Sequence, residues 1–172
     1  KDGDTVLGNA PIEREEPAGD GTRIVHFAPT PPLSSYLLAL AIGPLEATEP
    51  RSCGSTPVRV WHVEGKSHLA AFGLEAGVEA LKRLEDYFGI PYPYEKMDVV
   101  PIPRLASFGA MENAGLVTIG MTLSLAKKAD QSTSFERLYY DVMAHELAHQ
   151  WFGDLVTMSW WDDVWLNEAF AT

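Results

Sequence analysis

His145, Glu146 and His149 stand in a His-Glu-Leu-Ala-His run, and Glu168 follows after eighteen intervening residues. On a helix, residues four apart lie one above the other, so the two imidazoles can face one point in space. Neutral imidazole nitrogens bind zinc at about 2.0–2.1 Å, and a site with three protein ligands keeps a coordination position open for chemistry. Glu146 follows His145 by about 100° around the helix, beside a metal rather than on it, where a general base belongs. The third ligand must return through tertiary folding. Glu168 is one candidate, and Asp154, Asp162 and Asp163 are acidic competitors. Glu168 is favoured by its place among Trp165, Leu166, Ala169 and Phe170, where an unpaired carboxylate would be costly to bury. Two imidazoles and one carboxylate suit zinc, with manganese or cobalt as substitutes in vitro.

These residues need a helix beneath them. Thr133 and Glu136 have the spacing of a capping box, and Leu138, Tyr139, Val142, Met143, Leu147 and Phe152 follow with helical periodicity. The pattern predicts a helix over 134–152, about 28 Å long, stopped by Gly153. A second helix begins near Val164, capped by Asp162 or Asp163, and carries Glu168. Residues 134–172 hold seven acidic residues and one basic residue, Arg137, and a dication would offset part of that charge. Trp160, Trp161 and Trp165 read as core and scaffold residues.

Upstream, residues 1–21 are rich in Gly, Pro and acidic residues and predict loops with at most an edge strand. Arg23–Ala28 and Tyr36–Ile42 read as strands, Glu46–Pro57 as a linker or crossing loop, and Val58–Val63 as a strand again. Leu74, Val78, Leu81, Leu84 and Phe88 mark a helix closed by Gly89 and Pro91, and short strands follow at Asp98–Pro101 and Leu116–Ile119.

With 172 residues, 46% hydrophobic and 22% charged, the chain has the material of one ordinary globular core or two small units. A net charge of −11 and the lack of a basic block argue against a nucleic-acid partner. Cys53 is the only cysteine, so no internal disulfide forms, and no apolar run is long enough for a membrane span. The chain opens at Lys1 without Met or a signal sequence and reads as part of a longer one, with a cytoplasmic location as the expectation.

A second motif lies at Gly109-Ala110-Met111-Glu112-Asn113. On residue type alone, Gly109 is a turn glycine and Glu112 a solvated strand carboxylate. Taken with His145 to His149 and with Trp165-Leu166-Asn167-Glu168, however, the run resembles the M1 family of zinc aminopeptidases, the gluzincins. Trp151-Phe152-Gly153, Met158 and Trp160-Trp161 are similar to that family too, and the resemblance extends from about Tyr36 to Thr172.

The resemblance implies an α+β fold. Residues 1–50 would be the end of an antiparallel β domain. Residues 51–172 would be the first part of a thermolysin-like metallopeptidase domain, a small mixed sheet plus the helices that carry the zinc ligands. It implies one Zn2+ held by His145, His149 and Glu168, with Glu146 taking a proton from water and delivering it to the leaving amine. Glu112 would bind the free N-terminal ammonium of a peptide, and the backbone at Gly109 and Ala110 would pair with it like an adjacent strand. Met111 and Asn113 would complete that substrate site. The chain departs from the family pattern at Ala169, where a glycine is usual, and at Ala114, where an aromatic is frequent. The family's oxyanion-stabilising tyrosine and second amine-binding residue have no counterpart assignable here. Two alternatives follow: a noncatalytic zinc-binding module that recognises peptides, and a metal hydrolase whose main substrate is not a peptide.

Overall fold

The computed structural model describes residues 3–105 and 109–172. Three strands open the chain, β1 (Thr5–Gly8), β2 (Ile12–Gly19) and β3 (Thr22–Phe27). β2 and β3 form an antiparallel hairpin, and β1 pairs antiparallel with β4 (Leu40–Gly43). Residues 1–21 therefore hold more strand than expected. All eight residues of β2 are exposed, so its Ile-Glu-Arg-Glu-Glu-Pro-Ala-Gly sequence has no buried face to impose an alternation.

The strand expected over Tyr36–Ile42 is also corrected. Ser35–Leu37 is a 3-10 turn, and the strand begins only at Leu40. Leu37 is buried, and its carbonyl accepts from the Asn9 and Asn113 side chains instead of from a neighbouring strand. The expected linker at Glu46–Pro57 contains two short strands, β5 (Leu45–Ala47) and β6 (Arg51–Cys53). Both pair antiparallel with β7 (Thr56–Val63), at its end and its start respectively. Hydrogen bonding to the long strand β7 overrides their turn-rich composition.

β7 leads through α1 (Ala71–Phe88) to β8 (Met97–Ile102), which lies parallel to it with Val58 opposite Met97. A parallel neighbour requires such a crossover helix. As the spacing predicts, α1 buries Leu74 and Leu81 and ends at Gly89, whose left-handed backbone lets its N–H bond the Glu85 carbonyl. β10 (Leu116–Gly120) adds in parallel to β8, and β9 (Ala110–Met111) pairs antiparallel with β10 at the sheet edge. The order is β5-β7-β8-β10-β9.

A short α2 (Met121–Ser124) leads towards α3 (Thr133–Ala148). α3 packs Tyr139, Met143 and Leu147 into one cluster with Leu74 and Leu81 of α1 and with Val58, Val60, Val99, Val117 and Ile119 of the sheet. Leu81 and Leu147 are fully buried, and burial of each contributes about 1.5–3 kcal/mol. Tyr139 donates to the Gly73 carbonyl, so the two helices sit close at that glycine. This core holds one end of α3 fixed against the edge carrying β9. The molecule is α+β, a small mixed sheet with helices on it, as expected.

Candidate metal centre

α3 starts one residue earlier than the sequence suggests. Ser132, not Thr133, is the cap, its Oγ accepting from the Phe135 N–H at 3.2 Å. The helix also ends earlier, at Ala148, and does not run to 152. Beyond it the chain still winds, but with wider bonds such as Asp154 N–H to the His149 carbonyl at 3.0 Å. This wider winding lets the chain turn away while Trp151 stays in the core, its Nε1 donating to the Ile90 carbonyl at 3.1 Å. Gly153 then turns at φ +125°, and a Cβ there would meet the Asn167 amide at 3.2 Å and His149 Nδ1 at 3.4 Å.

His145 in the last turn and His149 just after it point together, with Nε2 atoms 3.1 Å apart. α4 (Trp165–Ala171) brings Glu168 to them, its Oε2 lying 3.3 Å from His145 Nε2 and 3.8 Å from His149 Nε2. Three donors at about 2.05 Å from a tetrahedral zinc stand about 3.3 Å from one another. Separations of 3.1, 3.3 and 3.8 Å therefore fit one ion. Among the described residues this is the one group of three such side chains with ligand atoms close enough to share a metal. His149 Nδ1 lies 3.2 Å from the Phe152 carbonyl, a contact that suits a proton on Nδ1 and leaves the Nε2 lone pair free for a cation.

Three expectations about this region are corrected. Glu168 is 63% exposed, so burial among apolar neighbours does not select it. Convergence of α4 on the two histidines selects it instead. Asp162 and Asp163 do not cap α4: they lie inside a 3-10 turn, Trp161–Asp163, and Val164 occupies the cap position. Trp160, Trp161 and Trp165 are 67%, 52% and 60% exposed, not core. The core tryptophan is Trp151, because the chain leaves the packed cluster after it.

Glu146 is buried, and its Oε2 has no hydrogen-bond partner among the described residues. Burial, then the nearby negative charges of Glu112 and Glu168, push its carboxyl up to about 8. Such a crowd of carboxylates is relieved by a cation, which again fits a metal at the His-His-Glu cluster.

Glu112 is also buried and lines a cleft of about 750 Å³ together with Gly109, Ala110, Met111, His145, Glu146 and Glu168. β9 bonds β10 on one side and, among the described residues, is the terminal strand of the sheet, the position at which an extended chain can add. The Gly109 carbonyl is spent inward on the Gly120 N–H at 2.8 Å. Asn113 does not line the cleft. Its Oδ1 accepts from Thr118 Oγ1 at 3.0 Å and its Nδ2 donates to the Leu37 carbonyl at 3.3 Å.

Two residues of this site carry no sequence signal. Gln150, fully buried, accepts from Tyr92 Oη at 2.9 Å and the Gly115 N–H at 3.0 Å, and donates to the Glu112 carbonyl at 2.8 Å. Asp154 is buried, with no partner for either oxygen among the described residues. Burial, with Glu112 and Glu146 beyond it, pushes its carboxyl up to about 9. Both follow the histidine motif closely, but their partners lie on distant strands and turns.

Residues 72–172 match the model of the peptidase family M1 domain. The chain belongs to peptidase family M1. Aminopeptidase N of Acetobacter pasteurianus is 41% identical over 97% of this chain and 47% of its own length. Probable aminopeptidase 2 of Sulfurisphaera tokodaii is 47% identical over 97% of the chain and 21% of its own length. Aminopeptidase M1 of Arabidopsis thaliana is 43% identical over 97% of the chain and 19% of its own length. This M1 chain thus spans about half of the first relative and about a fifth of the other two. Its mixed sheet, with the His-His-Glu cluster on the helices beside it, matches the thermolysin-like architecture of the family.

Proposed function

We propose that the intact protein is a zinc-dependent aminopeptidase that hydrolyses the first peptide bond of substrates with a free N-terminal amine. The observation that supports this reading is the cleft itself: Glu112, Glu146 and two members of the three-donor cluster, His145 and Glu168, line one cavity. His145, His149 and Glu168 would hold one Zn2+, which supplies Lewis-acid polarisation of a carbonyl and a water. Glu146 accepts the water proton and passes it to the departing amine. Glu112 pairs with the substrate ammonium, and the edge strand β9 aligns the peptide as an added strand. With the ammonium held at Glu112, the first peptide bond lies over the cluster, so cleavage is confined to it. In the same reading, residues 1–50 close a β domain and residues 51–172 open the peptidase domain.

The test is Glu146→Gln in the intact protein. One zinc per chain is retained, while kcat/KM on an aminoacyl amide falls by roughly 10²–10⁴. Retained zinc with near-wild-type hydrolysis refutes the assignment. Binding without cleavage in the wild type would favour a peptide-recognition module, and faster turnover of an ester or epoxide would favour another hydrolase. Glu112→Ala harms free-amine substrates most. Equal loss on N-acetylated controls refutes the amine anchor.

A further inference from the structure

We infer that Asp141 is a specificity-determining residue of the cleft, selecting substrates whose second residue is lysine or arginine. This rests on the reading of Glu112 as the amine anchor and of the His-His-Glu cluster as the place of cleavage. Asp141 lies on α3 four residues before His145, on the same helical face and about 6 Å back along the axis. It is exposed and lines the same cleft as Glu112, His145 and Glu168.

The direction of the peptide brings its second residue there. Gln150, just beyond α3, donates from Nε2 to the Glu112 carbonyl at 2.8 Å, so the amine anchor stands at the C-terminal end of that helix. Along α3 the order is Asp141, His145, His149 and then the Glu112 end. A peptide with its amine at Glu112 and its first carbonyl over the cluster therefore continues towards Asp141. Such a chain runs antiparallel to β9, which leads from Ala110 through Met111 to Glu112, as strand addition allows. An extended chain advances about 3.3 Å per residue, so a long side chain just past the cluster reaches a carboxylate one helical turn away.

The charges of the cleft leave Asp141 unanswered. The substrate ammonium offsets Glu112, a dication offsets the cluster, and Glu146 is the base. Among the described residues no Lys or Arg lines the cleft, and Asp141 makes no ion pair or side-chain hydrogen bond. Arg137, four residues earlier, does not pair with it, in keeping with the weaker helical order of a base N-terminal to its acid. Val142, half-buried, and Ala144 line the cleft beside it. A long basic side chain fits this combination, its methylene stem on the apolar residues and its charged head on the carboxylate. An acidic second residue meets a like charge there and is disfavoured.

The test measures Kd by calorimetry in the zinc-loaded intact protein carrying Glu146→Gln, which is expected to hold peptides without cleaving them. The probes are Leu-Arg-Ala and Leu-citrulline-Ala, since citrulline keeps the shape of arginine without its charge. Leu-Arg-Ala is expected to bind more tightly, and adding Asp141→Asn shrinks that advantage about three- to fivefold, the upper range for one exposed ion pair. Asp141→Lys in place of Asp141→Asn lowers the advantage further. Arg-Leu-Ala and citrulline-Leu-Ala vary the first residue instead, and their Kd ratio is expected to stay constant in Asp141→Asn. An unchanged ratio for the first pair overturns the inference, and so does an equal change in both pairs. Glu112→Ala is expected to weaken all four peptides. No weakening there overturns the amine anchor, while the two ratios still decide on Asp141. Failure of all four peptides to bind overturns both.

Discussion

Gln150→Ala should be among the most damaging single changes that leave every cleft-lining residue in place. Gln150 is fully buried and ties together three separate segments: Tyr92 before β8, Gly115 before β10, and Glu112 after β9. Each hydrogen bond contributes about 0.5–1.5 kcal/mol net, and a buried partner left unpaired costs about 1–3 kcal/mol. Three such bonds, at 2.9, 3.0 and 2.8 Å, put the loss at about 3 kcal/mol or more. For a domain of this size that is a fall in Tm of roughly 6–12 °C. Urea unfolding of wild type and variant supplies the free-energy difference, provided the slope with denaturant is unchanged. A double-mutant cycle with Tyr92→Phe should return a coupling of about 1 kcal/mol, because the two changes remove one shared bond. Gln150→Glu should be no better than the alanine variant at neutral pH, since it sets an oxygen against the Glu112 carbonyl and adds a charge near Glu112, Asp154 and Glu146. A destabilisation below about 1 kcal/mol for Gln150→Ala would refute the reasoning.

Asp154→Asn should change how stability depends on pH. The Asp154 carboxyl is held up to about 9 against an ordinary 3.8, so the folded state keeps a proton that the unfolded chain releases in between. Wild-type stability should therefore decline as pH rises from about 4 to about 9, and Asp154→Asn should remove that slope. Parallel urea-unfolding curves for the two proteins across that range would contradict it. Gly115→Ala should cost more than about 2 kcal/mol, because the added Cβ meets the Asn9 carbonyl oxygen at 2.5 Å and the backbone is left-handed at φ +68°. Unfolding free energies measure this, and a cost below about 1 kcal/mol would show that the turn relaxes freely. Chelation should lower Tm and readdition of zinc should restore it, by about 4.1 kcal/mol at free zinc a thousandfold above Kd. An unchanged Tm on verified metal removal would argue against a coupled site.

The resemblance to family M1, the two histidines on one helical face and the stop of α1 at Gly89 were all legible in the sequence, because each depends on short-range spacing. The hairpin of β2 and β3 was not, since an exposed acidic strand has no buried side to mark its period. Nor was the division of the tryptophans: Trp151 is buried and Trp160, Trp161 and Trp165 are exposed, although all four sit in one short, aromatic-rich stretch. Burial depends on what packs against a residue, which composition does not record.

By itself, the sequence determined which side chains could bind a metal and move a proton, because helical geometry places residues four apart together whatever surrounds them. Only the tertiary structure decided that an exposed Glu168 and not a nearby aspartate completes the cluster, and that Glu112 lines one cleft with His145 and Glu168. It alone brought Tyr36 to Asn167 across 131 residues of chain. These pairings follow from the packing of α1 and α3 on a shared sheet and from buried polar groups that must find partners, and neither constraint has a fixed spacing along the chain.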